Sequence, residues 1–97
     1  MVAPVSDLQL SRLETAMYVV KAANRNAPIK ITISSGTGDA DLYVRSGSEP
    51  TTTTYDCRPY KSGNNETCSV PAKNEDLYVM VRAYSSFSGV TLMAKKQ

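Results

Sequence analysis

The sequence predicts an all-β protein, an antiparallel β-sandwich of seven to eight short strands folded as one domain over residues 1–97. Two observations predict it. Apolar and polar residues alternate with a period of two in several runs, the pattern of strands with one buried face. Turn-forming clusters of Gly, Asn and Ser separate those runs.

Taken in order, residues 8–10 are a faint first strand. Residues 17–21 are strongly β-prone, although their inward face is ambiguous. The stretch 7–23 also holds good helix formers, with Ser6 or Ser11 as a candidate start, but Tyr18, Val19 and Val20 favour a strand. Residues 29–33 alternate Ile with polar side chains. In 40–44, Leu42 and Val44 take one face and Asp41, Tyr43 and Arg45 the other. Residues 55–58 and 67–70 are weaker strands. In 77–81, Leu77, Val79 and Val81 point inward and Tyr78, Met80 and Arg82 outward, and 90–94 alternate in the same way. Turn signals stand at 24–26, 35–38, 46–47, 63–65 and 73–74.

Composition removes many activities. The chain has no histidine, so no Ser-His-Asp or Cys-His arrangement exists and no His-ligated zinc. Cys57 and Cys68, the two cysteines, are too few for a structural zinc site and too far apart for a C-x-x-C redox pair. A disulfide remains, and it persists in an oxidising compartment, which places the protein outside the cytosol. The net charge of +2, with 11 basic and 9 acidic residues, forms no basic cluster of the kind that tracks phosphates, so nucleic acid is not an expected partner. No apolar run approaches the roughly 18 residues of a membrane span. Residues 1–4 lack the basic and apolar regions of a signal peptide. A secreted chain must then be a piece of something longer, with Met1 not its natural start. A monomer is expected.

Gly36-Thr37-Gly38-Asp39-Ala40-Asp41 places two glycines and two acids before a strand. No Gly-Lys-Ser/Thr follows, which rules out a phosphate loop. Two carboxylates supply part of the six to eight oxygens that calcium takes, so Asp39 and Asp41 are the candidate calcium ligands and no firm metal site is predicted. The structural alternative is a tight turn whose carboxylates accept backbone N–H bonds. The tyrosines are a second signal. Six Tyr and one Phe stand without any Trp. Tyr43, Tyr78, Arg82 and Tyr84 share the outward parity of their strands, and Phe87 lies in a Ser/Gly-rich stretch read as a loop. Outward aromatics form either a binding surface or a set of cross-strand stacks.

The stretches GDADLYVR (38–45), Pro50-Thr51, YDCRPY (55–60), SGNNETC (62–68), YVMVRAY (78–84) and FSGV (87–90) resemble the bacterial pre-peptidase C-terminal domain. The resemblance is dense from about residue 31 to 94. It implies a jelly-roll-like β-sandwich at the C-terminal end of a secreted bacterial hydrolase, most often a metalloprotease or a subtilisin-like protease, with no catalytic residues of its own; no cofactor is required, and calcium stays an option that Asp39 and Asp41 alone suggest. The implied partners are the protease catalytic domain in the precursor and an insoluble material such as collagen or chitin. The implied roles are assisting secretion or folding, restraining the enzyme, and binding substrate, with a carbohydrate-binding module or a purely structural export domain as the alternatives. Collagen-binding domains of clostridial collagenases look like distant relatives. Tyr84 matches one of their collagen-touching positions, whereas Arg82 stands where that group can carry a tyrosine. Their acidic N-terminal calcium segment has no counterpart here, where Ala3, Pro4 and Val5 precede a lone Asp7.

Overall fold

The computed structural model describes residues 5–22, 25–59 and 65–96. Among them six strands follow in chain order: β1 (Val5–Leu10), β2 (Thr15–Val20), β3 (Ile29–Ser34), β4 (Thr37–Ser46), β5 (Glu66–Val70) and β6 (Leu77–Lys96). All pair antiparallel. The architecture is the expected antiparallel sandwich.

The 20-residue β6 organises it. Along one side of β6 run β1 and then β2, from Val5 opposite Leu92 to Val20 opposite Leu77. Along the other side run β3 and then β4, from Ile29 opposite Lys96 to Ser46 opposite Leu77. The molecule is therefore a three-stranded ribbon folded over on itself. Its first sheet holds β1, the C-terminal half of β6, β3 and β5; its second holds β2, the N-terminal half of β6 and β4.

The fold line needs backbone that ordinary strands avoid. Leu13, Ser35, Gly36, Gly38 and Gly89 all have positive φ, and all lie where the ribbon bends. A side chain at Gly36 would meet the Ser88 carbonyl, and one at Gly38 the Ser86 carbonyl, so these two glycines let the ribbon close on itself. Register shifts between Thr37 and Ala40 mark the same bend as a bulge. At the matching point of the first ribbon arm, Glu14 N donates to the Ser11 carbonyl (3.0 Å) and Ser11 N to Glu14 Oε1 (2.7 Å). That Ser-x-x-Glu pattern resembles a helix start, but here it closes a turn, which Ala83 pins on both sides. The helical alternative for residues 7–23 is therefore replaced by β1 and β2.

The bend also accounts for the strand count. The runs 77–81 and 90–94 read as separate strands but are the two halves of β6. Residues 55–58 contribute one bridge, Cys57 to Val44, and no strand. The core is the inward row of each strand: Ile29, Ile31 and Ile33, Leu42 and Val44, Leu77, Val79 and Val81, and Val90 and Leu92. Each such aliphatic side chain contributes about 1.5–3 kcal/mol on burial. Phe87 belongs to this core at 3% exposure. It sits inside β6 opposite Leu10, not in a loop, because the strand runs straight through the bend.

Candidate functional site

The expected ligand face is the outer side of the second sheet. Register sets its rows: Val19, Tyr78 and Arg45; Met17, Met80 and Tyr43; Thr15, Arg82 and Asp41. The parity reading of Tyr43, Tyr78, Arg82 and Tyr84 holds, but coverage divides the face in two. On the β4 side the segment after β4 folds back as a roof. Val44 exchanges backbone bonds with Cys57 (3.0 and 3.1 Å), and Ser46 N donates to Asp56 Oδ2 (2.8 Å). Tyr55 meets the Tyr43 ring edge-on at 5.7 Å between centroids, and the Arg58 guanidinium lies over it at 4.8 Å.

Tyr43 is accordingly 1% exposed, and its expected role in ligand contact is corrected to packing under the roof. Phe87 leaves the face for the core. Met80, read as outward, is also buried, beside Tyr43. What stays open is the β2 side: Met17, Val19, Tyr78 and Arg82 half-buried, and Tyr84 at 61% exposure.

Cys57 and Cys68 are joined as a disulfide. The bond ties the roof to β5, and so ties the edge of the second sheet to the edge of the first.

Beneath the roof lies an acidic cluster. Asp39, Asp41 and Glu66 each place a carboxylate oxygen within 4.8 Å of the other two. Asp39 and Asp41 come from β4, as the sequence suggested. Glu66 comes from β5, where it shares the inward face with Cys68 and Val70 and is 1% exposed. Its Oε1 accepts the Leu42 N–H at 2.7 Å, a link between the two sheets. Burial pushes its pKa up to about 7, and the Asp41 and Asp39 charges add to the rise; the Leu42 N–H and the Arg58 charge oppose it. Arg58 reaches Asp41 Oδ2 at 3.4 Å. Sequence reasoning missed Glu66. The available signal was its parity: a Glu two residues before Cys68 and four before Val70 sits on the core face of its strand.

A second buried charge does structural work. Arg25 is 1% exposed and donates to Ser46 Oγ (2.9 Å) and to the carbonyls of Glu75 (3.0 Å) and Pro71 (3.1 Å), anchoring the β5–β6 connection.

Comparison with known proteins fixes the family. The model of the bacterial pre-peptidase C-terminal domain matches residues 14–83. The chain belongs to this family. The domain is 52% identical over 90 residues to the virulence metalloprotease of Vibrio anguillarum, covering 92% of this chain and 15% of that protein. It is 46% identical over 94 residues to alkaline serine exoprotease A of Vibrio alginolyticus, covering 94% of this chain and 17% of that protein. Among solved structures, the solution structure of vEP C-ter 100 superposes with a TM-score of 0.77 at 49% identity, covering 92% of this chain and 88% of that one. The domain thus spans about a sixth of the length of the two proteases. It corresponds to their C-terminal accessory region, apart from the catalytic part, and is not itself an enzyme.

Proposed function

We propose that this domain is the C-terminal accessory module of a secreted bacterial protease, a metalloprotease, and that it holds the enzyme on insoluble protein such as collagen. Tyr78, Arg82 and Tyr84 make the contact. Relatives named as a metalloprotease and as a serine exoprotease carry the same module, which suits a task independent of the bond-breaking chemistry. The disulfide suits export into an oxidising space.

The observation that carries the reading is the exposure of Tyr84 at 61%, at the end of the row that Tyr78 and Arg82 begin. A tyrosine presents flat apolar area at low rotamer cost, and arginine adds a planar donor. Co-sedimentation with insoluble collagen, chitin and cellulose tests it. Retention on collagen is expected, with Tyr84→Ala weakening it by about 1–2 kcal/mol. Retention on chitin or cellulose alone would make the domain a carbohydrate-binding module. Retention on none would leave a role in export, folding or restraint of the enzyme.

A further inference from the structure

We propose that Asp39, Asp41 and Glu66 form a divalent-cation site, and that its occupant is calcium. The site is independent of the tyrosine face.

Three observations support it. The first is geometric. The three carboxylate oxygens all lie within 4.8 Å of one another. Oxygens held about 2.3–2.6 Å from one calcium ion are separated by at most about 5 Å, so three oxygens this close can share one ion. The second is charge. Three carboxylates gather here with the Arg58 guanidinium 3.4 Å from Asp41, so negative charge is in excess among these four groups when all are ionised, a setting that favours a cation. The third is an unmet acceptor. Glu66 is 1% exposed, yet its Oε2 is buried with no hydrogen-bond partner among the described residues. A buried carboxylate oxygen left bare is costly, so the fold retains it against a penalty that a cation would remove.

The chemistry also explains why Glu66 comes from a different sheet. A cation held by Asp39 and Asp41 on β4 and by Glu66 on β5 bridges the edges of both sheets, alongside the Leu42–Glu66 hydrogen bond and the disulfide. It would act as a third clasp on that side of the sandwich.

Calorimetric titration and thermal melting of the intact domain, in EDTA and then in CaCl2 or MgCl2, test the site. An affinity of about 0.1–1 mM is expected, the range of extracellular calcium modules. Moving from EDTA to about 10 mM CaCl2 should then raise the Tm by about 7–13 °C, with a smaller rise in MgCl2. Glu66→Gln keeps an acceptor for the Leu42 N–H while removing the charge, and it should abolish the rise. A wild-type Tm equal in EDTA and CaCl2 would overturn the proposal, and so would a Glu66→Gln variant that keeps the full rise. Should Glu66→Gln fail to fold, Asp39→Asn decides: weakened calcium binding in the titration supports the site, and wild-type binding refutes it.

Discussion

Tyr43 on β4 and Tyr78 on β6 occupy the same side of the same sheet, one pleat row apart, yet one is buried and the other half-open. The difference lies outside both strands. The segment after β4 returns across Tyr43, docks at Val44 and is stapled to β5 through Cys57. Among the described residues, no equivalent segment crosses the β2 side. Parity therefore decides which side of a sheet a residue takes, while the connections decide whether that side meets solvent. The roofed half holds charge and aromatic rings in a dry setting; the open half offers them to a partner.

The largest expected effect is on the floor of the roof. Tyr43→Ala should destabilise the domain by about 3–5 kcal/mol, the scale of emptying a buried aromatic site. Urea denaturation measures this directly. A loss below about 1 kcal/mol would mean that the roof collapses readily onto β4 and that the two halves differ less than their burial suggests.

Unfastening the roof comes next. Cys57→Ala with Cys68→Ala should cost about 2–4 kcal/mol. Alkylation of the folded wild type without reductant should leave its mass unchanged. Hydrogen exchange in the double variant should accelerate at positions 44 and 57, whose backbone amides bond each other's carbonyls, more than at Met17 or Val19. Equal acceleration on both halves would show that the staple supports the whole sandwich.

Acidity separates the halves differently. In EDTA, Glu66 faces Asp39, Asp41 and Arg58, with its pKa raised to about 7 from 4.5. A carboxyl whose pKa is raised on folding stabilises the folded state below its unfolded value and loses that contribution as pH rises through the folded one. Stability of the metal-free domain should therefore fall as pH rises from 4.5 to about 7, and Glu66→Gln should flatten the fall. Unchanged pH dependence in that variant would assign the titration elsewhere.

Smallest of all should be the stability change on the open half. Tyr84→Ala is expected to shift unfolding by no more than about 0.5 kcal/mol, while lowering retention on insoluble collagen. A clear loss of stability with unchanged retention would place Tyr84 in the scaffold.

Much of this protein is legible in its sequence because much of it is local. A period of two requires only neighbouring residues, so Ile29, Ile31 and Ile33 or Leu77, Val79 and Val81 announce their strands and their inward faces. Two cysteines without histidine or further ligands announce a disulfide, and the motifs between Gly38 and Val90 announce the family. Three things had to wait for the tertiary structure. That the runs around Val79 and Leu92 are one strand follows from a bend that keeps β6 hydrogen-bonded throughout, with Phe87 turned into the core. That Tyr43 is covered follows from the path of a connection whose polar Thr51–Thr54 stretch gives no local sign of it. That Glu66 joins Asp39 and Asp41 follows from β5 pairing with β3 at the edge facing β4. Each depends on chain segments distant in sequence meeting in space, and nothing in the spacing of neighbouring residues encodes that meeting.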